Sequence, residues 1–187
     1  MSKIQAKLIV IFMLLGIGIA AIAGQVMADD DDFGRRISGA RDVAQVNNIL
    51  YTKECGSCHF AYQPGLLPAR SWKRLIAGLE DHFGDNAELM DEDQLAITTY
   101  LVNNSADFSG YKASKKIMQS LNKNMSPIRI TDTPYFIHEH DEIQRAAWAD
   151  NPKVKSLSYC NRCHTRAEAG SFNEHDVMIP GFGNWDD

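Results

Sequence analysis

Two short stretches decide how this sequence reads: Cys55-Gly56-Ser57-Cys58-His59 and Cys160-Asn161-Arg162-Cys163-His164. Both have the form Cys-x-x-Cys-His. Together they contain all four cysteines of the chain and two of its six histidines. Chance placement of so few cysteines in 187 positions yields far less than one such pattern.

The repeat changes what the cysteines are for. Four cysteines in an exported chain predict two disulfides by default. A thioredoxin-type dithiol or half of a zinc site would also use Cys-x-x-Cys, but neither requires the histidine that follows. Cys-x-x-Cys-His is the attachment pattern of haem c. On a helical turn, positions i, i+3 and i+4 share a face. Two thiols then reach the two vinyl groups of one porphyrin, and the histidine turns a ring nitrogen toward the iron as proximal ligand. The expectation is therefore two covalently bound haems c. Cys55, Cys58 and His59 hold one, and Cys160, Cys163 and His164 hold the other.

Outward from the motifs, residues 1–28 read as an export signal. Lys3 and Lys7 form a basic start, Leu8 to Ala23 is apolar and uncharged, and Val26-Met27-Ala28 presents small residues at a cleavage site. The apolar run is slightly short for a membrane-spanning helix, the competing reading, which needs about 20 residues. Cleavage lowers the basic count from 19 to 17 against 24 acids, a formal charge of −7. That balance, with no Lys/Arg block, excludes a nucleic-acid binder. It predicts redox partners met through their basic patches. The acidic run Asp29 to Asp32 reads as a solvated terminus.

The motifs lie 105 residues apart, from Cys55 to Cys160. That distance predicts two haem-bearing lobes of about 80 residues each, at 29–108 and 109–187. Each would be small for a stable core of its own, and a buried porphyrin adds apolar surface.

The fold class expected is mostly α. In the first lobe, Val43, Val46, Ile49 and Leu50 predict a helix over 42–51 that leads into the first motif. A rigid loop follows at 61–68, with Pro64, Gly65 and Pro68. Trp72, Leu75, Ile76, Leu79 and Phe83 form one stripe and predict a helix over 71–83. A third helix is expected over 91–104, with Asp91 as cap and Gln94 reaching back as in a capping box. A helix ahead of the haem motif and a closing helix ending in Tyr-Leu-Val resemble the class I cytochrome c lobe, whose first and last helices cross beside the haem. The second lobe reads as less regular: helices over 111–121 and 136–148, an extended stretch around Ile128-Arg129-Ile130, a short helix into the second motif, and an irregular tail over 176–187.

Each iron needs a sixth ligand. His82, His138, His140 and His175 remain among the histidines, and Met90, Met118, Met125 and Met178 among the methionines outside the leader. For the first haem the candidates are His82, at the flank of the 71–83 stripe, and Met90, just ahead of a helix. His82 is preferred. For the second, Phe136, His140, Ile143 and Ala147 recur at intervals of 4, 3 and 4, so His140 faces inward and His138 outward if the segment is helical. His175 stays open, because its loop follows the motif closely. Arg70, Arg162 and Arg166 are candidate partners for haem propionates.

The run Cys55 to Trp72, the segments Asp81-His82-Phe83-Gly84 and Glu139-His140-Asp141-Glu142-Ile143, and Cys163-His164-Thr165-Arg166-Ala167 resemble the bacterial dihaem cytochrome c family. Beyond residue 175 no motif matches. The resemblance implies two lobes with low-spin, bis-histidine haems: His59 and His82 on the first iron, His164 and His140 on the second. It also implies a periplasmic location, a small oxygen-binding monohaem cytochrome as partner and a membrane cytochrome b or quinol-linked donor as electron source.

With imidazole on both sides of each iron, no position remains for a substrate. The expectation is a one-electron carrier of comparatively low potential rather than an enzyme. Two alternatives stand beside it. One is a haem enzyme or gas binder, which needs one open iron position. The other is the dihaem subunit of a periplasmic reductase, in which the motifs lie closer together.

Overall fold

The computed structural model describes residues 41–185. The export signal expected at 1–28, the acidic run Asp29 to Asp32 and the last two residues of the tail lie outside that range.

The secondary structure is mostly helical and the helices are short. The first, α1 (Ile49–Cys55), begins later than the periodicity predicts. Asn48 accepts a hydrogen bond from the Tyr51 amide at 2.8 Å and caps it. Residues 42–48 are not helical because tertiary bonds claim them. The amides of Asp42 and Val43 both donate to Gly170 O, at 2.8 and 3.1 Å. The Asp42 carboxylate accepts from Phe172 N at 2.7 Å. The helix thus runs into Cys55 itself rather than ending before the motif.

The loop after the first motif is buried from Gln63 to Pro68 and makes a 3-10 turn at Pro64–Leu66. Trp72 Nε1 donates to Pro64 O at 2.8 Å, and Ser114 Oγ to Gly65 O at 2.8 Å. Helix α2 (Ala69–Ile76) follows. It stops seven residues short of the expected end, where Leu79–Asp81 tightens into a 3-10 turn. Phe83 (φ 60°) and Gly84 (φ 102°) then adopt left-handed conformations that no helix accommodates. Helix α3 (Asp91–Asn103) packs on α2. Its N-cap is Met90, not Asp91, and Gln94 donates to Ile76 O at 3.0 Å instead of closing a capping box. Tyr51, Leu67, Trp72, Ile76, Leu79, Ile97 and Leu101 form the core of this region.

Helix α4 (Lys112–Ser120) matches the expected segment and buries Ala113 and Ile117 against Val43, Leu66 and Leu121. Ile130–Asp132 is a 3-10 turn rather than extended chain. The helix expected over 136–148 is two: α5 (Pro134–His140), capped by Thr133 with Pro134 in its first turn, and α6 (Arg145–Trp148). Gln144 is extended (ψ 141°), which breaks the run. The second motif starts in a 3-10 turn, Cys160–Arg162, in place of an α-helix. The tail is not irregular either. Strands β1 (Met178–Ile179) and β2 (Gly183–Asn184) pair antiparallel, and Val177 and Ile179 are buried with Ala147 beside Ile143, Cys163 and Trp185.

The described residues belong to one compact unit, Gly39–Asp187. Among them, no helix is long and apolar enough to cross a membrane.

Candidate functional site

Each Cys-x-x-Cys-His histidine faces a second imidazole. His59 lies just beyond α1. Its ring and that of His82 are 6.4 Å apart between centroids, with planes 25° apart. His82 is carried by a turn, not by a helix flank. Its amide donates to Asp85 O at 2.7 Å, and Gly84 N donates to the Asp81 carboxylate at 2.9 Å. At the second motif, His164 and the last residue of α5, His140, are 6.0 Å apart with planes at 65°.

These separations are too long for ring-on-ring contact. They fit an imidazole–metal–imidazole sandwich, which spans about 6 Å from two bonds of about 2 Å and two ring radii of about 1.1 Å. Local bonds prepare the nitrogens. His59 Nδ1 lies 2.8 Å from Phe60 O, and His140 Nδ1 lies 2.9 Å from Phe136 O. A carbonyl only accepts, so each Nδ1 carries the proton and each Nε2 keeps its lone pair. His164 Nδ1 is buried with no hydrogen-bond partner.

Burial works against charging three of the four imidazoles, those of His82, His140 and His164. Burial, then the neighbouring His140, lowers the His164 pKa to about 4. Burial lowers that of His140, although the Phe136 carbonyl and Glu139 oppose it. Burial lowers that of His82 too, helped by His59 and Arg129. A neutral imidazole is the form that ligates a metal.

No disulfide pairs any of the four cysteines, which leaves all four available for attachment. Burial raises Cys55 to about 11 and Cys160 to about 12, and also raises Cys163. Cys58 is exposed. Among the described residues no group of three or more His, Cys, Asp or Glu could hold a bare ion. Two imidazoles beside a thiol pair suit a metal that brings its own equatorial ligands, as haem iron does.

Residues 51–172 match the family model of dihaem cytochrome c. The chain belongs to the dihaem cytochrome c family. It carries two covalently bound haems c, each with its iron, and is an electron-transfer cytochrome with redox-protein partners. A diheme cytochrome c from Shewanella baltica OS155 is 46% identical over 74% of this chain and 98% of its own, with a TM-score of 0.63. A diheme cytochrome c from Rhodobacter sphaeroides is 40% identical over 70% of this chain and 100% of its own, with a TM-score of 0.62. No curated protein matches the chain.

Around the dihaem sites, the structure sorts the other candidates. Met90 is 78% exposed. His138 and His175 are exposed as well, and the His175 ring lies 3.9 Å from the Glu174 carboxylate. Arg70 braces the 122–125 loop, donating to Met125 O at 2.6 Å and Asn122 O at 3.4 Å. Arg166 pairs with Asp176 at 3.6 Å. Arg162 lines an open pocket with Cys58, Lys153 and Lys155.

Three residues at the sites escaped the sequence reading. Phe136 stacks on His140, Phe172 meets the His164 ring edge-on at 5.3 Å, and Arg129 lies 3.7 Å over the Phe83 ring beside His82. Only Phe136 carried a signal, its spacing of four from His140. Phe172 and Arg129 reach their sites through the tertiary fold.

Proposed function

We propose that this dihaem cytochrome is a periplasmic one-electron carrier with both irons bis-histidine ligated. In this reading Cys55 and Cys58 would attach the first haem, and His59 and His82 would hold its iron. Cys160 and Cys163 attach the second, with His164 and His140. The observation that carries the reading is the pair of imidazole–imidazole separations, 6.4 and 6.0 Å, one at each motif. In this reading the segments 29–108 and 109–187 carry one haem each.

Each haem, when bound, supplies an iron(III)/iron(II) couple. The chain does the rest. His59 with His82, and His140 with His164, would hold the two irons and leave no ligand position for a substrate, and two nitrogen ligands would favour the ferric state and a low potential. The carbonyls of Phe60 and Phe136 hold two of these imidazoles in the metal-binding tautomer. The leader expected at 1–28 supports export, and haem c attachment suits the same compartment. The acidic charge favours partners with basic patches. By family resemblance, electrons arrive from a membrane cytochrome b or quinol-linked donor and leave to an oxygen-binding monohaem cytochrome.

The test uses full-length chain from a host that attaches haem c. Mass spectrometry is expected to find two haems per chain, and the ferric spectrum only low-spin bands. Carbon monoxide is expected to leave the reduced spectrum unchanged. A high-spin band or carbon monoxide binding would favour the enzyme or gas-binder reading.

A further inference from the structure

The dipeptide that follows the first site reaches across to both flanks of the second. Tyr62 and Gln63 come three and four residues after His59. The Tyr62 ring lies 4.7 Å from that of His59, and also 4.7 Å from Phe60 at 72°. Tyr51 Oη donates to Tyr62 O at 2.8 Å and anchors the backbone there. From the far end of the ring, Tyr62 Oη donates to Ser158 O at 2.6 Å, spanning 96 positions of sequence. The Cys160 thiol approaches the same carbonyl, 3.7 Å away. Gln63, fully buried, donates from Nε2 to Ala167 O at 2.5 Å. Ala167 N in turn donates to His164 O at 3.0 Å. One dipeptide therefore holds the second motif at both ends, and one aromatic ring runs from a histidine of the first site to the carbonyl beside a cysteine of the second.

We propose that Tyr62 is a positioning residue for electron exchange between the two haems, its ring and hydroxyl forming a chain of contacts from His59 to Cys160, with Gln63 keeping the second motif in place. The inference rests on the ligation proposed above. The step moves one electron from the ferrous to the ferric site. No bond forms or breaks, and the phenol keeps its proton. Each interrupted contact lengthens the route, and the relative placement of the two irons sets how strongly the charge on one shifts the potential of the other.

The test compares the two-haem protein with Tyr62→Phe, which keeps the ring and removes the O–H, and Tyr62→Leu, which removes both. Haem content and low-spin bands are recorded first. Intramolecular exchange is then followed after flash reduction, and the separation of the two midpoint potentials by redox titration. Tyr62→Phe is expected to slow exchange at least threefold and Tyr62→Leu at least tenfold, with low-spin bands intact and the separation of potentials changed. Exchange at the unaltered rate in Tyr62→Phe and Tyr62→Leu, with unmoved potentials, would overturn the role of Tyr62 alone. Should Tyr62→Leu not load both haems, Tyr62→Phe decides. If that single-oxygen change also costs a haem, Tyr62 is a folding strut and the proposal fails. Unaltered protein without low-spin bands would instead overturn the proposed ligation.

Discussion

The ring of Phe136 lies flat on the imidazole of His140, with 3.9 Å between centroids and 11° between planes. The Phe136 carbonyl also holds His140 Nδ1 at 2.9 Å, so one residue sets both the tilt and the tautomer of this imidazole. Phe136→Ala keeps the carbonyl and removes the ring. With His140 freed to rotate, one of the two haems is expected to show a partial high-spin band and to bind carbon monoxide once reduced. Phe136→Tyr, which keeps the stack, is expected to leave the spectrum unchanged. Visible spectroscopy of the ferric and reduced forms checks both.

The first site offers a similar contrast between the preferred candidate ligand and its runner-up. His82 faces His59, whereas the Met90 side chain points into solvent from the N-cap of α3. His82→Ala is expected to convert one haem to a high-spin, carbon monoxide-binding form while leaving the other low-spin. Met90→Leu is expected to change neither spectrum nor potential. A shift of the Met90→Leu potential by more than the error of a redox titration would reverse the assignment.

Arg129 places a permanent positive charge beside the His82 turn, stacked on Phe83. A nearby cation disfavours the ferric state, which carries the extra charge. Arg129→Gln is therefore expected to lower the midpoint potential of one haem, by on the order of tens of millivolts for a partly screened charge. Arg129→Lys is expected to retain most of the effect. Redox titration followed at the haem α-band gives the sign directly.

Gly170 joins the start of the described chain to the region just after the second motif. It has φ +83°, and a Cβ there would collide with Val43 O. Gly170→Ala therefore combines a left-handed backbone with a clash against a carbonyl that cannot swing away. The expected loss is at least about 2 kcal/mol. Asp42→Ala removes the carboxylate that accepts from Phe172 N, and about 1.5–3 kcal/mol is expected to go with it. Thermal unfolding of the haem-loaded protein, followed by circular dichroism, measures both.

Where sequence periodicity failed, long-range bonds were the cause. Val43 and Val46 fit a helical stripe, yet residues 42 and 43 are bonded to Gly170, and the helix waits for its cap at Asn48. The spacing of Phe136, His140, Ile143 and Ala147 was real, since all four are at least partly buried. It was served by two short helices and the turn between them, not by one helix. His140 turns to His164 with Phe136 stacked on it, and Ile143, in the turn, and Ala147 join the cluster of Val177 and Ile179. A periodic pattern records which side chains go inward and does not register an extended Gln144 between them.

The covalent chemistry of this protein was legible in the sequence alone. Attachment of haem c depends on groups four residues apart at most, and that spacing is local. A mostly helical fold was legible too, from apolar stripes and turn residues. Apolar spacing and family resemblance favoured His82 and His140, but only the tertiary structure set them opposite the motif histidines, because those partners lie 23 and 24 positions away (59 and 82, 140 and 164) and their separation depends on everything packed between. It also decided that the tail forms a hairpin and that Tyr62 and Gln63 tie one site to the other. Bonds across about 100 positions, such as 62 to 158, exist only once buried surfaces have brought the chain together.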